Sequence, residues 1–495
     1  MISMKIRKSW GCKLIKRNGL LLMTVAIMSA CSFEPKKNTI EMNLPNEFKE
    51  QQGVWIQAKP KLYQEKMDKW WELFQDKTLN ALEKKINCQN NELKVAYYQY
   101  KESQQVARIA RSYLYPSITG FYNMARVENS PNQITNKNVA GLYIYNTFFL
   151  SGLINYEVDL WGKVRSSVKV NDHLMAASKL DMAAISLSLH GQLASDYFLL
   201  RSADKMQSIL DENVAIYEKV YQLRSHQHQG GLIYETSKQQ AYHQLQQARL
   251  LQVNNQIKRA QLEHSIAILT GETPSMFNIC PAVIPFRKVS IYPKIPSLLL
   301  ERRPDVVAAQ YRVMSAKANI GYARAAFFPT INLFGLLGGQ SSDITNLFSR
   351  RSLFWSLGPS AGTTVVSLIR PMVSQTIFDG FKLPSQLNQA WYALKLYSAQ
   401  YRQTVLTAFK EVEDQLVEIR KVDENIEITK QDLKALDRQY YQALQRQKGG
   451  ITTYIEVAPF EVNKLRLEID MIALQARRQI ASVALIKALG GSWAS

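Results

Sequence analysis

At 495 residues, with 46% hydrophobic and 21% charged residues, the chain is neither a disordered polyelectrolyte nor a bundle of apolar membrane helices. Its formal charge of +20 raises the question of nucleic acid, but the Lys and Arg residues are spread along helical patterns as a solvated face requires. No basic cluster interleaved with aromatics stands at one locus, so nucleic acid is not an expected partner.

The first element is a targeting segment, residues 1–30. Lys5, Arg7, Lys8, Lys13, Lys16 and Arg17, with no acid among them, precede an apolar run from Gly19 to Ala30 that is too short to span a bilayer. The sequence Met28-Ser29-Ala30-Cys31 resembles a bacterial lipoprotein signal, in which Cys31 is lipidated and becomes the N-terminus; Ser32 in place of Asp then implies the outer membrane. The alternative is an ordinary secretory peptide cleaved after an alanine. Removal of the segment takes six positive charges and no negative one. Cys12 falls in the signal, and Cys88 and Cys280 are read as free thiols.

Residues 31–75 read as an extended tether, polar and carrying Pro35, Pro45 and Pro60, with order beginning near Trp70-Trp71. A first repeat follows over 76–271. Its first helical arm runs from about Asp76 to Leu114 and stops at Pro116, because proline cannot donate its backbone hydrogen bond and disfavours helix in the residue before it. A β-hairpin over about 117–158 comes next. Leu142, Ile144, Phe148, Leu150, Ile154, Tyr156 and Val158 occupy even positions, with Tyr143, Tyr145, Thr147, Ser151, Asn155 and Glu157 at odd ones. That is the period of a strand with one apolar face. A membrane β-barrel requires such alternation, since every backbone group in lipid must be paired. Four strands cannot enclose a lumen, so this reading demands further copies of the chain; a soluble β-layer packed on helices fits the alternation too.

From Gly162 to Gly230 the sequence holds no proline, and the matching stretch from Gly380 to Gly449 holds only Pro384, near its start. At 1.5 Å per residue each would reach roughly 100 Å, so the chain is built to cross a distance. The pairs Gly230-Gly231 and Gly449-Gly450 mark tight turns, followed by return helices over 234–270 and 454–489. In the second long helix Leu383, Leu387, Ala390, Leu394, Tyr397, Tyr401, Val405, Ala408, Val412, Leu416, Ile419, Val422, Ile426, Thr429, Leu433, Leu436 and Tyr440 advance by threes and fours. Their mean spacing of about 3.6 keeps the apolar seam nearly straight.

A linker over 272–300 leads to a second repeat, 301–495. Its short arm runs from Pro304 to Pro329, and its β-hairpin covers about 330–378. Leu353, Trp355, Leu357, Ala361, Val365, Ile369, Val373 and Ile377 alternate there, interrupted by Pro359 and Pro371. Ala110-Arg111 and Tyr115-Pro116 recur 213 positions later as Ala323-Arg324 and Phe328-Pro329; Gly162, Gly230-Gly231 and Gly271 recur as Gly380, Gly449-Gly450 and Gly490. A period this long indicates one ancestral half copied and fused rather than a solenoid.

The six histidines are scattered. His226 and His228, two positions apart on a helix, point to different faces and are read as solvated tip residues rather than a metal pair. No zinc spacing, phosphate loop, nucleophile elbow or dinucleotide fingerprint occurs, so no cofactor, metal site or enzymatic activity is expected.

These residues carry a resemblance. Leu300-Glu301-Arg302-Arg303-Pro304-Asp305-Val306, Ile320-Gly321-Tyr322-Ala323-Arg324 with Phe327-Phe328-Pro329, Tyr156-Glu157-Val158-Asp159-Leu160-Trp161-Gly162, Ala408-Phe409-Lys410-Glu411-Val412-Glu413-Asp414 and Ala488-Leu489-Gly490-Gly491 stand in the order found in the TolC-like outer-membrane efflux factors. The chain is similar to the OprM/NodT-type lipoproteins among them. The resemblance implies a TolC-like α/β barrel: mainly helical, with two repeats of long helical hairpins, two β-hairpins per chain, and a membrane β-barrel completed as a homotrimer in outer-membrane lipid. It also implies a passive duct that works with a periplasmic adaptor (membrane fusion) protein and an inner-membrane transporter of resistance-nodulation-division or similar type. Drugs, metal ions or other small solutes would be the cargo; a duct for type I protein secretion and a lipid-anchored scaffold without a pore are the alternatives.

Family members close at the tips marked by Gly230, Gly231, Gly449 and Gly450, where the adaptor docks, and place acidic residues just beyond. The matching sites here are Glu456, Pro459 and Ser237, with Glu235 two residues before Ser237, so the gate candidates are Glu456, Glu235, Thr236, Ser237 and Ile455. A ring of Glu456 carboxylates would concentrate cations; an ordinary first-turn carboxylate favoured by the helix dipole is the alternative. Residues 359–376 and the single glycine in Phe378-Asp379-Gly380-Phe381 depart from the family pattern, which implies a bulge or insertion in the last strand.

Overall fold

The computed structural model describes residues 34–35, 49, 69–128, 144–289, 302–357, 373–374 and 376–491. In chain order these form α1 (Lys77–Gln89), α2 (Asn91–Ser112), β1 (Ser117–Glu128), β2 (Ile144–Val158), α3 (Lys163–Gln229), α4 (Glu235–Leu269), α5 (Pro304–Ala325), β3 (Thr330–Ser341), β4 (Leu353–Leu357), β5 (Val373–Ser374), α6 (Lys382–Lys448) and α7 (Tyr454–Ala488). The long helices α3 and α6 have 67 residues each, and their return helices α4 and α7 have 35 each. Pro384 falls in the first turn of α6, where no intrahelical bond is lost. Cys31 and most of 359–376 lie outside the described residues.

The chain divides into two compact units, one drawn from 1–41, 101–177 and 310–400, the other from 42–100, 178–309 and 401–495. The first holds a five-stranded antiparallel sheet of order β1-β2-β3-β4, with β5 also on β3. Its helical part packs Ala316, Ile320 and Ala323 of α5 against Ala390 and Leu394 of α6. Ser315 Oγ donates to the carbonyl of Val170 at 3.1 Å, and Arg111 pairs with Asp172 at 2.8 Å. Small residues on α5 let these helices approach closely, which is what the Ala-rich run 316–326 provides.

The second unit contains the main core. Leu193, Tyr197 and Leu200 of α3, Val405, Ala408, Val412 and Leu416 of α6, and Leu485 and Ile486 of α7 are fully buried. Each large aliphatic among them contributes about 1.5–3 kcal/mol by leaving water. The apolar seam read along α6 is the buried stripe: Val405 through Val422 are enclosed, and Ile426 to Tyr440 are half-buried.

One sequence expectation needs correction here. The first arm is not one helix: Asn90, in extended conformation, separates α1 from α2, closes α1 with its N–H on Ile86, and caps α2 by accepting from Leu93 N at 2.8 Å. An Asn side chain that can bond local backbone competes with helix at that point. The order expected to begin near Trp70-Trp71 takes the form of a 3-10 turn, Trp70–Phe74, whose Trp70, Trp71 and Phe74 are core residues. The part of the inter-repeat linker over 279–289 packs too, with Ile279 buried and Ile284, Phe286 and Val289 against the core. Glu83 is fully buried at 2.6 Å from His190 Nδ1, and the His190 ring stacks on Trp71 at 4.5 Å. Burial pushes the Glu83 carboxyl well above the usual carboxylate range.

Within this unit the duplication repeats its backbone solutions. Gly231, Gly271, Gly450 and Gly490 have φ of 69°, 74°, 73° and 90°. Each takes the left-handed position of a Schellman motif: Leu232 N bonds Gln227 O, Glu272 N bonds Ala267 O, Ile451 N bonds Arg446 O and Gly491 N bonds Ile486 O. Only the second glycine of each tip pair has positive φ; Gly230 and Gly449 do not.

Candidate functional site

The sheet sorts its side chains by alternation. Register brings Ile118, Tyr122 and Met124 of β1 opposite Ile154, Leu150 and Phe148 of β2. Leu150 and Ile154 in turn face Gly339 and Gly335, Tyr156 faces Leu333, and Leu337 faces Trp355. One face therefore carries an apolar surface across four strands, ending at Arg126, Asn146 and Ser341, and it is open: Ile118 is 75% exposed, Tyr122 82%, Leu337 64%, Trp355 76% and Leu357 76%. The opposite face is mixed: Thr119, Asn123, Thr147, Ser151, Asn155, Asn332, Gln340 and Ser356 alternate with Phe121, Val127, Leu153, Phe334 and Leu336, and Phe149 stacks on Phe354 at 5.5 Å. An exposed apolar face of this size is unstable in water. No helix among the described residues is long and apolar enough to cross a membrane.

The hairpin tips form the second candidate region. Their support is a small cluster of Ile216, Val220, Ala241, Ala458 and Leu465, with Tyr221, Tyr454 and Val462 against it. Beside it a groove of about 310 Å³ is lined by Tyr217, Val220 and Arg224 of α3, Ser237, Gln240, Ala241 and Gln244 of α4, and Ile455, Ala458, Pro459, Val462 and Asn463 of α7. The structure thus brings Ser237 and Ile455 into one groove. Glu235, Thr236 and Glu456 are exposed and do not line it.

The two acidic candidates differ in environment. The Glu235 carboxylate accepts from Gln239 at 2.7 Å and Lys238 at 3.3 Å and lies 2.7 Å from His228 Nε2. The Gln239 bond, with the Lys238 bond and the nearby cations, holds it below the usual carboxylate range against a small opposing burial effect. His228 is therefore not simply solvated: its other nitrogen, Nδ1, lies 3.2 Å from the carbonyl of Ile233, so the ring closes the turn. Among the described residues the Glu456 carboxylate meets only the Thr453 hydroxyl, at 3.4 Å, at the open first turn of α7.

Sequence reading missed the second tip's own network. Tyr440 and Tyr454 both donate to Glu461, at 3.2 and 3.0 Å, and Lys219 Nζ sits 3.7 Å from the centre of the Tyr454 ring. Burial, with hydrogen bonding to the carboxylate, raises the Tyr454 hydroxyl. The seven-residue spacing of Tyr454 and Glu461 places both on one helical face, which was the available signal. Among the described residues no cluster of His, Cys, Asp or Glu could hold a metal ion, and Cys88 and Cys280 are unpaired and exposed.

Helical hairpins of this length joined to a small sheet with one apolar, exposed face define a class: membrane channels whose strands meet lipid and whose helices extend beyond it. The model of the outer membrane efflux protein family matches residues 82–272 and 295–491, and the chain belongs to that family. It is similar to a probable efflux pump outer membrane protein, TtgC, of Pseudomonas putida, with 27% identity over 86% of this chain and 85% of the relative. The cation efflux system protein CusC of Escherichia coli is 25% identical over 96% of this chain and 98% of its own length. The crystal structure of the Campylobacter jejuni CmeC outer membrane channel shares the fold at a TM-score of 0.79, with 24% identity over 93% of this chain and 95% of that one. The protein is thus an outer-membrane channel component of efflux.

Proposed function

We propose that three copies of this chain form one passive duct, anchored by lipid at Cys31, that takes small solutes from an inner-membrane pump through a periplasmic adaptor. The observation that carries this reading is the sheet: one apolar exposed face, one mixed face carrying the sheet's Asn, Gln, Ser and Thr side chains, and, among the described residues, two edges without a strand partner. Backbone groups at those edges have no partner in lipid, so closure with other copies removes a cost of several kcal/mol per group. A second support is the face of α4, where Leu250, Leu251, Val253 and Ile257 stay about half exposed, as a helix awaiting a neighbour would leave them.

The two tips are the proposed docking points for the adaptor. Beyond Gly230-Gly231 and Gly449-Gly450, Leu232 and Ile451 are 77% and 71% exposed, apolar contacts that a partner hairpin could cover. Glu456, with no cation beside it, is the proposed source of negative potential at the closed end, while Ser237 and Ile455 line the adjacent groove. Toluene, antibiotics and cations are named for relatives; compounds of these kinds are the proposed cargo.

Detergent-purified protein should run as an SDS-resistant trimer that heat converts to single chains, and it should conduct ions in planar bilayers. A non-conducting protein that leaves the membrane once Cys31 is replaced would support a lipid-anchored scaffold instead. Deletion should cost resistance to small toxic compounds; loss of a secreted protein would move the cargo to polypeptide.

A further inference from the structure

The end of each β-hairpin turns into a long helix, and the two turns are built differently. After β2, Asp159 accepts from the N–H groups of Val164 and Arg165 at 3.0 and 2.9 Å, and Gly162 takes a φ of 74°. Trp161, beside that glycine, stacks on Phe328 at 4.9 Å and donates its indole N–H to the carbonyl of Pro329 at 2.8 Å. The aromatic that closes the first repeat's hairpin is thus seated on the Phe-Pro step that opens the second repeat's hairpin. This contact accompanies the pairing of β2 with β3.

At the equivalent turn after the second hairpin, Asp379 caps α6 through Lys382 N and Leu383 N at 3.0 and 2.9 Å, and Gly380 takes a φ of 63°. The aromatics are Phe378 and Phe381, packed edge to face at 6.2 Å. Among the described residues they are seated on nothing else: Phe378 is 79% exposed and Phe381 72%, beside the fully open Ile377. Phe381 also has a φ of 67°, a left-handed conformation that a bulky side chain adopts only when something holds it. Within the same unit, the step that corresponds to Phe328-Pro329 is Tyr115-Pro116, at the start of β1, and Tyr115 is 71% exposed. An aromatic knob without a seat and an aromatic-proline seat without a knob stand at the two ends of one sheet.

We infer that Phe378 and Phe381 of one copy seat on Tyr115-Pro116 of the next, repeating between chains the contact that Trp161 makes with Phe328-Pro329 inside one. The inference rests on the trimeric reading above. A ring of two-repeat chains has alternating junctions of two kinds, one internal and one between copies, and a heterologous contact that closes on itself must use both ends of the chain. The strands agree with this assignment: the internal junction follows β2 and precedes β3, so the external one follows the last strand and precedes β1. Phenylalanine has no N–H to replace the indole bond to Pro329, so the contact between copies is purely apolar. It is the site where the second copy is recognised at the base of the sheet.

The test uses the full chain with Cys88→Ser and Cys280→Ser, adding Tyr115→Cys and Phe381→Cys singly and together, treated in membranes with a short bismaleimide. The double variant should give covalent species of two and three chains on denaturing gels, and neither single variant should. Protein that is trimeric by light scattering but stays as single chains after reaction overturns the seat while leaving the trimer standing; protein that is not trimeric overturns both. Phe381→Gly supplies an independent measure, because glycine accepts the positive φ and only the ring is lost. It should shorten trimer lifetime in SDS about tenfold, with the chain's helical content unchanged; an unaltered lifetime removes Phe381 from the contact.

Discussion

Gly271 and Gly490 end the return helices of the two halves in the same left-handed turn, and behind each stands backbone from the start of that half. A Cβ on Gly271 would meet the Gln89 carbonyl oxygen at 2.5 Å, and one on Gly490 the Arg302 oxygen at 2.9 Å. The polar groups that lock these junctions differ. In the first half Asn90 Nδ2 donates to Leu269 O at 2.8 Å; in the second Arg303 Nη1 donates to Ala488 O at 3.1 Å and to Glu411 at 2.6 Å, while Nη2 holds Asp305 at 2.7 Å. Duplication has kept the residue where geometry admits one choice and has let it drift where any donor of suitable reach serves.

The strongest attack on this comparison is at the glycines. Gly271→Ala should destabilise the fold by about 3–4 kcal/mol, from left-handed strain plus a backbone collision, and Gly490→Ala by about 2–3 kcal/mol. Denaturant unfolding monitored by circular dichroism reads both, and equal losses would deny the tighter approach in the first half. Next come the donors. Arg303→Met should cost about 2–3 kcal/mol, less than for a wholly buried pair because Asp305 and Glu411 keep contact with solvent; Asn90→Ala should cost about 1–2 kcal/mol. If Asn90 proves the costlier, helix capping rather than the bond to the return helix dominates its half.

The tips sharpen the same contrast with smaller effects. Glu456→Gln should lower the cation preference of the closed channel, read as reversal potential in a salt gradient, with assembly intact. Glu235→Gln should change it less, since Lys238 already offsets that charge. Acidity then separates the tips. Because the folded pKa of Glu235 lies below its ordinary 4.5, its contribution is present above pH 4.5 and lost as pH falls through the lower folded value. Hydrogen exchange over 228–240 should therefore rise in acid relative to 447–457 in the same molecule, and Glu235→Gln should erase the difference.

Much of this could be read before any coordinates. Proline and glycine positions placed α3, α4, α6 and α7 to within about two residues, because breakers act locally, and the seam of α6 named its buried stripe. The break at Asn90 was hidden by a helical pattern on both sides, where one Asn is a weak signal. What Trp70–Phe74 and 279–289 pack against was hidden as well, since their apolar residues, WWELF and ICPAVIPFRKV, say that they are buried and not which element covers them. At the tips the glycines were legible, whereas the ties of His228 to Glu235 and of Tyr440 and Tyr454 to Glu461 were not.

The sequence by itself determined the duplication, the long hairpins and the two-faced strands, all of which follow from periodicity and from residues with restricted backbones. Tertiary structure decided which carboxylates are held by partners and which stand open, which donor locks each half, and that Trp161 has a seat while Phe381 has none among the described residues. These depend on side chains meeting from elements far apart in the chain, and no local pattern encodes such a meeting.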